Sequence, residues 1–219
     1  MKNHSHRKRR SHTSPSRKRQ CPLSPISKAT LPNVIGRKAT LRNIAFVILL
    51  CVSSWLFSTT WHIKQNGTGD FTIIQQGINA SADTDTVLVY PGTYYENLDF
   101  NGKNITLCSL ELTTGNSQYI NSTIIDGQRL ESCIRIHNGE TNAQIRGFTI
   151  KNGLGTQHWS RDGGGVSVHD FSTAFIINSV FFDNLADTGG GLYARNGYLN
   201  LSGLSIKNNS AHLGGAIYI

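Results

Sequence analysis

The apolar positions in the second half of the chain recur in short phrases. "GGGVSVHD" (Gly163–Asp170), "GGGLYARN" (Gly189–Asn196) and "GGAIYI" (Gly214–Ile219) repeat every 25 or 26 residues. Each sets two apolar residues, two positions apart, behind a run of small residues. Alternation with period two is the pattern of a half-buried strand. It turns Val166 and Val168 to one face and Ser167 and His169 to the other. Two inward columns follow, Val166/Leu192/Ile217 and Val168/Ala194/Ile219. A second set of phrases lies between the first: "NAQIRGFTIKN" (Asn142–Asn152), "AFIINSVFFDN" (Ala174–Asn184) and "YLNLSGLSIKN" (Tyr198–Asn208). Aligned end to end, they turn Phe175 and Leu199 inward, then Ile177, Leu201 and Ile145. They also stack Asn152, Asn184 and Asn208 as a ladder of side-chain amides at one corner.

Short strands that repeat with like over like predict an all-β chain, a right-handed parallel β-helix of about five rungs. Neighbouring rungs lie about 4.8 Å apart. One rung cannot bury its inner face alone, so the rungs are stable only when stacked. The open ends need covers. At the N-terminal end, "DFTIIQQGINASA" (Asp70–Ala82) spaces Phe71, Ile74 and Ile78 for one helix face, with Asp70 as N-cap. Residues 61–85 are thus a cap with a short helix, and residues 86–219 are the solenoid. Ile217 and Ile219 have no rung above them, so the chain is expected to be truncated and its last rung prone to association.

Charge divides the chain. The formal net charge of +8 comes from the first 43 residues, which hold twelve Lys or Arg and no acid. The remainder holds nine basic and thirteen acidic residues, a mildly acidic body. A tail of like charges with little to bury is expected to be disordered. Residues 44–60 follow, with "IAFVILLCVSSWLFS" (Ile44–Ser58) free of charge. A basic run before a short apolar run is the order of an export signal. This segment is therefore a signal peptide or a retained signal anchor. Export with the basic side held inside the cell removes the nucleic-acid reading of the tail. Cys108 and Cys133 are 25 residues apart, but the alignment places them on different strands of a rung, so two buried free thiols are expected.

From "GTGDFTIIQQGINASADTDTVLVYPGTYYENLDFNGKNITL" through "STIIDG", "IRGFTIKNG" and "GGGVSV", the chain resembles right-handed parallel β-helix proteins of the pectin-lyase-like superfamily. "FFDN…GGGLY" and "IKNN…GGAIY" are similar to the F-x-x-N and G-G-A-I repeats of polymorphic outer-membrane proteins. The resemblance implies a fold that carries lyases, esterases, hydrolases and non-catalytic adhesins alike. The catalytic segments of the pectin esterases, polygalacturonases and lyases are not in this sequence. No acidic cluster suggests a metal, and no cofactor is implied.

Candidate chemistry concentrates in one loop. The interval between the corner asparagines lengthens in "GLGTQHWSRD" (Gly153–Asp162), and loops on a rigid scaffold carry binding residues. His158, Trp159, Arg161 and Asp162 are the carbohydrate-binding candidates, the indole as a stacking surface and its neighbours as hydrogen-bonding groups. Outward Tyr193 and Tyr218, one rung apart, are a second candidate. Asp162 and Asp170 read as solvated acids, not as a catalytic pair. Six N-x-[ST] sequons, at Asn66, Asn79, Asn104, Asn121, Asn200 and Asn208, follow from an Asn-, Ser- and Thr-rich composition. The expected function is an exported, surface-exposed, non-catalytic scaffold for binding or adhesion, meeting a glycan or a cell-surface partner. The alternative is a piece of a polysaccharide-active enzyme whose catalytic rungs lie elsewhere.

Overall fold

The computed structural model describes residues 58–157 and 161–219. The basic tail, residues 44–57 of the apolar segment, and His158, Trp159 and Ser160 lie outside the described residues. Among the described residues no helix is long and apolar enough to cross a membrane.

Three parallel sheets organise the described residues. The first contains β1 (Thr60–Ile63), β2 (Thr86–Val89), β5 (Thr106–Ser109), β8 (Ala143–Arg146), β13 (Thr173–Ile177) and β16 (Tyr198–Ser202). The second contains β3 (Gly92–Tyr94), β6 (Thr123–Asp126), β9 (Thr149–Lys151), β14 (Val180–Phe182) and β17 (Ser205–Lys207). The third contains β4 (Leu98–Asp99), β7 (Ile134–Ile136), β12 (Val166–Val168), β15 (Leu192–Ala194) and β18 (Ile217–Tyr218). From β2 on, the chain visits the first, second and third sheets in that order and then begins again. Among the described residues only β10 (Thr156–Gln157) and β11 (Arg161–Asp162) stand apart, as an antiparallel pair.

The registers build one inner column per sheet. Val87, Leu107, Ile145, Ile176 and Leu201 align in the first. Tyr94, Ile125, Ile150, Phe181 and Ile206 align in the second. Leu98, Ile134, Val166, Leu192 and Ile217 align in the third. Most of these side chains are fully buried and belong to one continuous core. The glycine phrases therefore set the third sheet as the sequence indicates. Ile219 departs from that reading: β18 ends at Tyr218, and Ile219 is 79% exposed rather than stacked on Ala194.

The first sheet also corrects the sequence alignment. Ala174 pairs with Leu199 and Ile176 with both Leu201 and Ile145. Ala174 and Ile176 are buried, while Phe175 and Ile177 face outward and are half-buried. The alignment was one residue out of register, and a one-residue slip in a strand exchanges its two faces.

The N-terminal cover is a shorter helix, Ile74–Ala80, with Ile74 and Ile78 buried. Asp70 is not its N-cap. Its carboxylate accepts the His62 N–H at 2.8 Å, back on β1. The first helical N–H groups, of Ile74 and Gln75, instead donate to the two carboxylate oxygens of Glu96 at 2.8 and 2.9 Å. A helix needs acceptors at its N-terminus, and here an acid about twenty residues downstream supplies both. A strand, β1, also precedes the helix and opens the first sheet.

A half-buried ion pair clamps the corner after the first sheet. The Arg146 guanidinium donates to Glu111 at 2.8 and 3.2 Å, and Asn178 Nδ2 donates to the same carboxylate at 2.9 Å. The Arg146 hydrogen bond holds Glu111 below its ordinary value, against the opposing effect of burial. A carboxyl with a lowered folded pKa stabilises the fold above its unfolded pKa and loses that contribution as pH falls. Acid unfolding should therefore show a Glu111 contribution that is full above about pH 4.5 and fades below it. Glu111→Gln should flatten that part of the stability–pH curve, and an unchanged slope would refute the assignment.

Candidate functional site

The outward face of the third sheet carries the most organised chemistry. Register places Asp99, Arg135, Ser167, Tyr193 and Tyr218 in one outward column. At its start, Asp99 accepts from Arg135 at 3.0 Å, and its carboxylate lies 2.9 Å from His137 Nε2. Burial alone would raise the Asp99 pKa. Hydrogen bonds from His137 and the Asn101 N–H, with the nearby charges, lower it instead.

Further along, the face becomes aromatic. Ser167 Oγ lies 2.6 Å from His169 Nε2. The His169 ring is 5.1 Å from that of Tyr193, tilted by 45°. Tyr193 and Tyr218 stack at 5.7 Å with their planes 9° apart. Like residues on neighbouring parallel strands are held one strand spacing apart, which produces such stacks directly. Tyr193 is 3% exposed and Tyr218 is 38% exposed.

The inserted loop is pinned beside this face. Thr156 pairs with Asp162 and Gln157 with Arg161. Ser132 fastens the base: its Oγ donates to the Asp162 carbonyl at 3.1 Å and accepts the Thr156 N–H at 2.9 Å. Asp162 bridges to Thr188 of the next circuit. The stretch Gly153–Asp162 uses five more residues than its counterpart Asn184–Thr188. Its geometry joins the two candidates that the sequence left separate. Burial, then the nearby Asp162 charge, raises the Tyr193 pKa, with Arg195 opposing. Arg161 is exposed, and its backbone N–H donates to Asp187 at 3.1 Å. Asp170 is exposed at the end of β12. His158 and Trp159 lie outside the described residues.

Arg195 and Asn196 follow Tyr193 along this edge and are both exposed, which sets a guanidinium and an amide beside the aromatic column. Sequence reasoning singled out the two tyrosines through their alternation. It missed His169 and Arg195, which join the face only once register is known.

The corner asparagines sort differently from the sequence alignment. Asn152 and Asn208 share a position with Asp183, at φ of 56°, 55° and 55°. Asn184 lies one residue on, in line with Gly153 below and Asn209 above. The observed ladder is Asn184–Asn209. Asn184 N–H and Nδ2 both donate to Asn209 Oδ1 at 2.9 Å. Asn184 Nδ2 also donates to the Ile150 carbonyl at 3.0 Å, and Asn209 Nδ2 to the Phe181 carbonyl at 3.0 Å. The F-x-x-N spacing, Phe181–Asn184 and Ile206–Asn209, was the signal. Cys108 and Cys133 are free and buried, and burial pushes both thiols up to about 12.

Together these features define an all-β protein of stacked parallel strands, with one elaborated outer face. The Chlamydia polymorphic membrane protein (Chlamydia_PMP) repeat matches residues 203–219, which cover β17, the glycine corner and β18. That repeat points to a surface-exposed outer-membrane protein. No curated protein matches the chain.

Proposed function

We propose that the chain is a right-handed parallel β-helix of about five rungs, displayed at the cell surface, that serves as a binding scaffold and takes carbohydrate on the outer face of its third sheet. Right-handedness is the sense that parallel strand crossovers adopt. The apolar segment of residues 44–60 provides export, as a cleaved signal or a retained anchor. The polymorphic membrane protein repeat supports the surface location. The observation that carries the binding reading is the outward Tyr193–Tyr218 stack on the third sheet, with His169 against it and the exposed Arg195 two residues beyond Tyr193. Sugar rings pack on such faces while fixed polar groups engage their hydroxyls.

A glycan array tests this. The full chain should bind at least one saccharide class, and Tyr218→Ala should weaken binding about tenfold, the effect of removing an aromatic anchor. Trp159→Ala probes the loop in parallel. A chain that binds no glycan, or a Tyr218→Ala chain that binds as the parent does, would sink the reading.

A further inference from the structure

The chain holds five Asn–Gly pairs, beginning at Asn66, Asn101, Asn138, Asn152 and Asn196. A glycine after asparagine leaves its peptide nitrogen uncrowded and its backbone free to turn. That nitrogen can then attack the asparagine's own side-chain amide carbon. The fold decides which pair has the freedom to react.

Four pairs are held. The Gly102 N–H donates to Glu140 Oε1 at 2.9 Å, the Gly139 N–H to Ser172 Oγ at 3.0 Å, and the Gly153 N–H to Asn184 Oδ1 at 2.9 Å. Each acceptor belongs to the next circuit, so the reacting nitrogen is tied to a neighbouring turn of the fold. Gly197 is packed instead. A carbon added there would lie 2.9 Å from a Val168 methyl and 3.2 Å from the Ser172 carbonyl oxygen.

Asn66–Gly67 is built differently. Gln65, Asn66, Gly67 and Thr68 are all exposed. Gly67 has a φ of 77° and open space around it. Its N–H meets only the Lys64 carbonyl of its own turn, at 3.1 Å. Thr68 donates twice to Asn66 Oδ1, from its N–H at 3.1 Å and its Oγ1 at 2.8 Å. This turn folds the Asn66 amide back over the Gly67 peptide. It also sets two donors on the oxygen that gains negative charge when the amide carbon is attacked.

We propose that Asn66 is a site of spontaneous deamidation and backbone rearrangement. The Gly67 nitrogen gives its proton to solvent and bonds to Asn66 Cγ. The Cγ–Nδ2 bond breaks and ammonia leaves, which closes a succinimide ring. Water then opens the ring. Attack at Cγ gives an aspartyl residue in the normal chain, and attack at the α-carbonyl gives an isoaspartyl link through the side chain. Either product places a new carboxylate on the loop that closes the outer edge of β1. There the Asp70 and Phe71 N–H groups donate to the His62 carbonyl, and the Lys64 N–H to the Phe71 carbonyl.

The full chain, aged at mildly alkaline pH and mapped by mass spectrometry with isoaspartyl-specific methylation, tests the proposal. Conversion at residue 66 should run ahead of the other four pairs. In denaturant the five should convert at similar rates, because the fold no longer separates them. Thr68→Val keeps the side chain's shape and removes one donor to Oδ1. It should slow conversion of the folded chain about threefold to tenfold, the worth of one hydrogen bond, and leave the rate in denaturant unchanged. The proposal is overturned if residue 66 converts no faster than the other pairs, if its lead persists in denaturant, or if Thr68→Val reacts as the parent does.

Discussion

Gly153→Ala is expected to abolish cooperative folding or to lower the melting temperature by on the order of 10 °C or more. A Cβ at this position would overlap the carbonyl oxygen of Gly164, with its carbonyl carbon 2.6 Å away and Cys133 Sγ 3.0 Å away. Two of these three obstacles are backbone, so no rotamer change relieves them. Gly153 is also tied on both sides: its N–H donates to Asn184 Oδ1 at 2.9 Å, and its carbonyl accepts the Leu185 N–H at 2.9 Å. It cannot move without breaking its bonds to the next circuit of the chain. The glycine stands where the inserted loop leaves the circuit and the returning Gly163–Gly165 stretch passes against it. Gly115→Ala is the control. Gly115 has a φ of 68° and open space around the added carbon, so it carries only the conformational cost, about 1–2 kcal/mol. Thermal melts of the two variants should differ clearly. Similar melting temperatures would mean that the close approach of Gly153 and Gly164 is not a feature of the folded chain.

The contrast between these glycines bears on what was legible in the sequence. The glycine phrases revealed the third sheet because a run of small residues marks the corner and the apolar residues behind it strictly alternate. Val166, Leu192 and Ile217 align as read. The first sheet was not legible to the residue. Ala174, Phe175, Ile176 and Ile177 are apolar on both faces, so alternation cannot choose between two registers. The choice then fell to the corner asparagines, and "IKNN" offers two. Pairing Asn184 with Asn208 instead of Asn209 made the spacing 24 rather than 25 and carried the slip into Phe175 and Ile177.

Other features depend on contacts that a linear reading cannot place. Glu96 caps the first helix from more than twenty residues away, whereas the residue at the N-cap position itself is Ile73, which has no side-chain acceptor, and Asp70 lies three residues before it. Asp162 meets Tyr193 across one circuit of the chain. Both residues were visible as candidates, but their convergence depends on Ser132 fastening the loop. The outer face was thus legible as a set of residue types and not as an assembled site.

Asn184→Leu should have the second large effect, a loss of about 3–4 kcal/mol from the unpaired groups it leaves behind. Asn184 is 1% exposed, and leucine nearly matches its shape, so volume is not the issue. The loss is polar. The Gly153 N–H loses its acceptor, the Ile150 carbonyl loses the Nδ2 donor, and Asn209 Oδ1 loses one of two donors. Buried groups left without partners carry their full desolvation cost, about 1–3 kcal/mol each. Asn184→Asp separates the roles. It keeps an acceptor for Gly153 but turns carboxylate oxygens toward the Ile150 carbonyl and Asn209 Oδ1. Those contacts are repulsive unless the acid is protonated, so its folded pKa rises. The variant should be least stable at neutral pH and recover part of the loss as pH falls. Asn209→Leu should cost less, because Asn209 is only half-buried and water can replace its partners. Denaturant midpoints across pH would decide the matter: equal losses at Asn184 and Asn209, or an Asn184→Asp deficit that deepens in acid, would exclude the amide ladder as the element that ties successive circuits together.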